Sequence, residues 1–307
     1  MNKVQQFCKE HMAPLYAVAR YIYHWPGVRR AIRNNEKLKA QLKDEFSYLL
    51  EHYHNEPSPA GTNDGPIWVC WWQGEEQMPE IVRVCYHRLQ QMAPAGHPVI
   101  LITKDTVGDY ITLPEHITKA LNEKRMTFTH LSDILRTTLL SQHGGLWADS
   151  TVYVTRPISE ELFQKPYFST RRAAPKPIYV SRCLYTGFLI GCIKGAPWLS
   201  FARDMLFDYW KNHDSLINYF LIDMALILGY DYIPSVNRDA PPCILPQVDL
   251  DTFQLQRNEP YNEAKFAVIT ARTQFLKLNY RMPYVKQLPD GRETYFGHLI
   301  NQAETIR

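Results

Sequence analysis

Residues 130–156, HLSDILRTTLLSQHGGLWADSTVYVTR, change hydrophobic period halfway, and that change limits what the chain can fold into. Leu131, Ile134, Leu135, Thr138, Leu139 and Gln142 recur at helical spacing. His143-Gly144-Gly145 then stops the helix, because glycine adopts the left-handed conformation that closes a helix at little steric cost. Leu146 to Val154 is rich in β-branched and aromatic residues and reads as a strand, ended by Arg156-Pro157. Asp149 interrupts this apolar run. A carboxylate there is costly to bury without partners, so the strand end is expected to face a cleft. Asp133 and Arg136 stand three apart on the helix, sharing one face opposite much of the apolar stripe.

The flanking segments alternate in the same way. Ile67 to Trp72 reads as a first strand, Gln73-Gly74 turns it, and Pro79 opens a helix running to about Gln91. Pro98 to Ile102 is a second short buried strand, and residues 115–125 form a helix before the 130–156 unit. Strand, helix, strand, helix, strand predicts an α/β domain. The first strand–turn–helix is a nucleotide-binding type of opening, with ligand expected at the strand's carboxyl end. Further on, residues 165–181 read as a long loop carrying Arg171 and Arg172, which can meet phosphate. Residues 183–192 read as a strand broken by glycine at Thr186-Gly187-Phe188, where a ligand can approach the backbone. Residues 215–228 read as a strongly apolar helix in which Asp223 needs a partner or a cleft.

Composition narrows the class. A chain of 307 residues can bury a sizeable core. No apolar run approaches the roughly 20 residues of a membrane span, and no signal-peptide core is recognisable near the start. The six cysteines are dispersed without a C-x-x-C pair, which argues against zinc fingers and a disulfide framework and favours a reducing cytoplasm. The net charge is +3, yet residues 1–43 hold nine Lys or Arg against two Glu, a local balance of +7 that leaves −4 for the rest. Two helices are expected in residues 1–56, separated at Pro26-Gly27, and NEPSPAGTNDGP at 55–66 reads as a linker. The boundaries that follow are a helical extension over 1–62 and a main domain over 63–307. The extension is either a basic, aromatic-rich surface attracted to anionic lipid or a helical cap with solvated basic residues. Nucleic acid is not expected as a partner, since only the charge would speak for it.

The array Ser-Asp133-x-x-Arg136, a helical spacer, then Gly144-Gly145-x-Trp-x-Asp149 resembles the nucleotide-sugar-binding core of glycosyltransferase family 32 and its bacterial branch, the capsular polysaccharide synthesis proteins. The large clostridial glucosylating toxins share the same core logic. Ile67 to Gly74, Thr186-Gly187-Phe188, Tyr219-Phe220-x-x-Asp223 and Phe275 to Tyr280 extend the likeness, which covers residues 65–290. The resemblance implies a GT-A type, Rossmann-like nucleotide-sugar domain. The reaction it implies is transfer of a sugar from a nucleoside diphosphate sugar to a hydroxyl of a growing glycan or glycolipid, with retained anomeric configuration. It sets Asp149 and Asp223 at the reacting centre. Trp71, Trp72, Gln73, Asp133, Arg136, Gly144, Gly145, Thr186, Gly187 and Lys277 fall to substrate, with Lys277 facing the diphosphate. The dispersed cysteines point to a cytoplasmic protein, and the basic extension, where it meets lipid, makes it peripheral on the inner face of the membrane.

The sequence departs from the pattern in one place. Relatives carry Asp-x-Asp at this strand end, and this chain has Asp149-Ser150-Thr151. A threonine hydroxyl is a weak ligand for a hard cation. A divalent cation, Mn²⁺ or Mg²⁺, is then expected at Asp149 and Thr151 only when substrate phosphates complete the ligand set; the alternative is that the basic side chains Arg136 and Lys277 take over the charge stabilisation. Loss of the second carboxylate also leaves room for a non-catalytic sugar- or nucleotide-binding protein on the same fold.

Overall fold

The computed structural model describes residues 13–172, 177–247 and 252–304. Its centre is a six-stranded sheet built from β1 (Ile67–Cys70), β2 (Val99–Ile102), β3 (Gly145–Ala148), β5 (Tyr167–Arg172), β6 (Leu189–Cys192) and β7 (Ile244–Gln247), in the order β2-β1-β3-β6-β5-β7. A separate two-stranded sheet pairs β4 (Val152–Val154) with β8 (Phe275–Lys277). In the large sheet β6 runs against its neighbours β3 and β5, and the other strands share one direction. This is the mixed α/β arrangement that the sequence predicts.

The alternation of side chains along each strand divides the core in two. Trp68, Trp147 and Ile190 point into one apolar layer. Ile67, Val69, Leu146, Ala148 and Leu189 point into the other. The first layer is closed by helices α1 (Ala13–Glu45), α2 (Ser47–Tyr53), α4 (Glu115–Asn122), α5 (Phe128–His143), α6 (Pro197–Asn212) and α7 (Leu221–Tyr232). The second is closed by α3 (Glu80–Met92), the small sheet and the last helix, Tyr295–Glu304.

Six local expectations are corrected. Pro26 does not break the first helix, since α1 runs through it. Proline removes one N–H and costs roughly 3 kcal/mol in a helix interior, a local loss within a helix whose far end is anchored by the buried Leu42. The predicted strand over 146–154 is two strands, because the chain leaves the large sheet at Asp149 and joins β8 from Val152. Residues 167–172 are strand, not loop: Tyr167-Phe168-Ser169-Thr170 is a buried aromatic and hydroxyl run held between β6 and β7. Residues 183–188 lie outside β6, and the apolar helix begins at Leu221. Finally, Asp133 and Arg136 are buried rather than on a solvent face, because α5 is packed on nearly every side.

The N-terminal helices dock onto the main domain. Leu42, Phe46, Leu49, Leu50 and Tyr53 lie in the first core layer. Full burial stabilises by about 1.5–3 kcal/mol for each large apolar side chain. Polar contacts reinforce the seam: the Tyr53 hydroxyl donates to Asp204 at 2.5 Å, and Lys39 pairs with Asp231 at 3.1 Å. The part of α1 before residue 26 carries much of the predicted lipid-facing surface, and its side chains lie outside the described residues.

Candidate active site

The spacing of the central array decides where its charges meet. A helix rises about 1.5 Å per residue and a strand about 3.3 Å. Arg136 is eight residues before Gly144, and Asp149 is four residues after Gly145. Each therefore lies about 12–13 Å from the glycine turn. A helix that reverses through that turn onto its own strand brings the two level, at the carboxyl end of β3. There the Arg136 guanidinium donates to Asp149 Oδ1 at 3.1 Å and lies 3.4 Å from Asp133 Oδ1. The Trp147 indole N–H donates to the same Oδ1 at 2.9 Å, and the guanidinium sits 5.1 Å from the Trp147 ring centroid.

Lys277 enters from the small sheet. The antiparallel register sets Val152 opposite Lys277, and the Leu278 N–H donates to the Thr151 carbonyl at 2.9 Å. The Lys277 ammonium donates to the Thr151 hydroxyl and lies 3.4 Å from Asp149 Oδ2. His130 closes the other end, its Nδ1 3.4 Å from Asp133 Oδ2. The line His130, Asp133, Arg136, Asp149, Lys277 alternates in sign from Asp133 onward.

Two carboxylates at this site are driven in opposite directions. Burial works to raise the Asp149 pKa, but Lys277 and Arg136, helped by the Trp147 N–H, hold it below the usual carboxylate range. Asp223 stands in the first turn of α7. Burial, aided by the Asp133 charge and opposed by Arg136, pushes its carboxyl up to about 7. Close to neutral pH Asp149 is ionised, while the Asp223 carboxyl lies within its titration range. Such a separation of two carboxyls suits acid and base chemistry at one centre.

These groups open onto a cavity of about 780 Å³. Asp133, Arg136, Asp149, Asp223 and Lys277 line it together with Thr186 and Gly187. A β-carbon on Gly187 would stand 3.0 Å from the Arg136 guanidinium, so glycine lets this backbone approach the charge line closely. Thr186 is pinned from β5, its N–H donating to the Ser169 hydroxyl at 3.1 Å and its hydroxyl 2.9 Å from that of Thr170. Arg172 also lines the cavity, while Arg171 is exposed elsewhere.

Other predicted site residues lie apart. Gly144 and Gly145 sit at the amino end of β3, away from the cavity. Trp71 and Trp72 follow β1 and do not line the cavity. Trp71 is half-buried edge-on to Tyr280 at 5.4 Å, and Trp72 leans on the first core layer near Phe128. Gln73 is exposed beside them. Thr151 is buried, and its hydroxyl is occupied by Lys277.

Sequence reasoning missed contributors of three kinds. Trp147 holds Asp149 through its N–H, Ser169 and Thr170 hold Thr186, and Ala31 and Asn35 of α1 form part of the cavity wall. The Asn35 amide donates to the Ile178 carbonyl at 3.1 Å. The aromatic and β-branched run at 167–170 was the signal for the second group. Trp147 stood in the Gly-Gly-x-Trp-x-Asp array without a role of its own, and nothing local marks the third group.

The Lys277 ammonium stands where the divalent cation is expected. An ammonium lies against both oxygens, of Asp149 and Thr151, that a metal would have to bridge. Among the described residues, no three of His, Cys, Asp and Glu come together as a metal-holding group.

The capsular polysaccharide synthesis protein family matches residues 22–299. Among solved structures, the chain is similar to the PaToxG glycosyltransferase, at 12% identity over 77% of this chain and 94% of that one, with a TM-score of 0.38. It is similar also to the WbbM bifunctional glycosyltransferase, at 9% identity over 79% of this chain and 50% of that one, with a TM-score of 0.37. No match is found among curated proteins. The family match takes in both apolar layers and Asp133, Arg136, Asp149, Asp223 and Lys277. The chain belongs to the capsular polysaccharide synthesis protein family.

Proposed function

We propose that the protein is a glycosyltransferase that moves a sugar from a nucleoside diphosphate sugar to a hydroxyl of a growing surface glycan, capsule or lipopolysaccharide, with retention of anomeric configuration. One observation carries this reading: a guanidinium and an ammonium converge on a single ionised carboxylate at the carboxyl end of β3, inside a cavity large enough for a nucleotide sugar. Transfer breaks the bond between the anomeric carbon and the diphosphate oxygen, and the electron pair leaves with the diphosphate. Arg136 and Lys277 offset that growing charge. Asp149 and Asp133 accept hydrogen bonds from ribose and sugar hydroxyls and fix the donor's orientation. The acceptor oxygen bonds to the anomeric carbon, and its proton passes to the departing diphosphate oxygen on the same face, which gives retention. Asp223, with its pKa near neutrality, stabilises positive charge at the anomeric carbon or orients the acceptor. The base lies toward the carboxyl end of β1, where Trp71, Trp72 and Gln73 follow the strand paired directly with β3.

Incubation of the full chain with a panel of nucleoside diphosphate sugars, with release of nucleotide as the readout, tests this reading. One or a few donors are expected to be hydrolysed slowly without acceptor and faster with a glycan acceptor. A folded protein that neither binds nor cleaves any donor overturns it. The basic N-terminal segment is proposed to meet an anionic membrane surface where a glycolipid acceptor resides. Sedimentation with anionic vesicles that persists at low salt and fades at about 0.15 M is the expected result.

A further inference from the structure

Lys277 occupies a position that chemistry would otherwise give to a metal. It ends β8, and the pairing of β8 with β4 fixes it beside residues 149–151. Its ammonium donates to the Thr151 hydroxyl, lies 3.4 Å from Asp149 Oδ2, and sits 5.5 Å from the Phe188 ring centroid. The side chain is 27% exposed and lines the cavity. It is therefore both held in place and reachable. A doubly charged cation bridging Asp149 and residue 151 would have to share that space with a positive charge. The Thr151 hydroxyl can accept that hydrogen bond while adding no charge of its own.

We propose that Lys277 is the site's built-in cation: its ammonium takes the place of a divalent metal, meets the diphosphate of the donor directly, and makes transfer independent of added metal. The inference rests on the nucleotide-sugar reading above. Lysine acts here as a compact, strongly hydrated point charge with three rotatable donors. On donor binding, one donor stays on Asp149 or Thr151 and another turns to a phosphate oxygen. The ammonium keeps its proton throughout. The electron pair of the broken glycosidic bond remains on the diphosphate, and nothing is oxidised or reduced.

Calorimetry with nucleoside diphosphates alone tests the assignment without needing the acceptor. Uridine, guanosine, cytidine and thymidine diphosphates are titrated into the full chain, once with excess chelator and once with Mn²⁺. For the nucleotide that binds, the two affinities are expected to agree within about twofold in the wild type. Lys277→Ala should lose about tenfold or more in chelator, with Lys277→Arg between the two, as expected for loss of a charge-assisted contact. Removing the ammonium also frees Asp149 for metal. Mn²⁺ should then restore nucleotide binding to Lys277→Ala, and more strongly to the double variant Thr151→Asp, Lys277→Ala. Circular dichroism melting of each variant separates a local effect from unfolding. Wild-type binding that appears only with Mn²⁺ overturns the Lys277 assignment and leaves the donor reading standing. Lys277→Ala binding as tightly as wild type in chelator does the same. No binding of any nucleoside diphosphate to the wild type under either condition overturns the donor reading and this assignment together.

Discussion

At the amino end of β3, backbone packs on backbone. Gly144 and Gly145 have φ of 71° and 98°, in the region that favours glycine. A β-carbon on Gly145 would stand 2.1 Å from the Pro66 carbonyl, and one on Gly144 would stand 2.7 Å from the Lys194 nitrogen. The Asn63 side chain fills the remaining polar need, donating to the Gly145 carbonyl at 3.0 Å and accepting from its N–H at 2.6 Å. At the carboxyl end, four residues later, side chains of alternating charge meet around a cavity. The two ends of one short strand thus differ in what they need from sequence. The first tolerates only the smallest residue and makes no contact with the cavity. The second needs particular functional groups. Both are strongly specified, for unrelated reasons, and a motif that spans them mixes folding with chemistry.

Substitutions at the two ends should separate these roles. The largest effect is expected from Asp149→Asn, which keeps shape but removes the charge that Arg136 and Lys277 share. Transfer should fall by about a hundredfold or more, with the variant still folded by circular dichroism. Near-normal rates with the true donor and acceptor would place the chemistry elsewhere. Gly145→Ala should do the reverse. The clash and the strained φ are expected to cost about 3 kcal/mol or more, read as a shift in the denaturant midpoint. The fraction that folds should keep its donor affinity. A Gly145→Ala protein of full stability and poor affinity would mean that the glycine turn meets substrate after all.

A smaller effect sharpens the carboxyl end. Arg136→Ala should weaken nucleoside diphosphate binding by about tenfold or more, and Arg136→Lys by less, because lysine keeps the charge but loses the fixed fork. Equal affinities in all three proteins, by calorimetry, would reduce Arg136 to a structural partner of Asp133. A last effect concerns Asp223 and is seen in the pH dependence of stability. Its folded pKa, about 7, lies above the ordinary value of 3.8. The folded state therefore holds a proton that the unfolded state has released, so this group's contribution to stability falls as pH rises from about 3.8 to about 7 and is flat beyond. Asp223→Asn mimics the protonated form. Its melting temperature should gain on wild type across that window, and the gap should stay constant above it. A gap that does not change with pH would show that Asp223 ionises as an ordinary carboxyl.

The α/β architecture was legible because its signals are short-range. Periodicity separated α5 from β3, and apolar runs marked β1 and β2. The errors came where a local rule met a tertiary one. Proline at 26 predicts a helix end, yet a single missing hydrogen bond is outweighed when the same helix is fixed further on by Leu42. The proline-rich look of 165–181 hid β5, whose central residues are held by strands on both sides. Asp133 and Arg136 were expected on the polar face of an amphipathic helix. A buried helix has no such face, and the pair is accommodated by ionic partners instead.

What the sequence by itself determined is the unit at the centre. The helix, the glycine reversal and the strand follow from residue types alone, and their fixed rises per residue place Arg136 level with Asp149. What only the tertiary structure decided is the company those residues keep. Lys277 lies 128 positions after Asp149, and Asp223 lies 74 positions after Asp149, and no periodicity links residues so far apart. Their meeting depends on the pairing of β8 with β4 and on the docking of α7 over the cavity. The charge balance of the site depends on it too, because electrostatic interaction is set by distance and burial, neither of which is written in local sequence. An aspartate and a threonine two residues apart suggested a weakened metal site. In the fold an ammonium stands between the two.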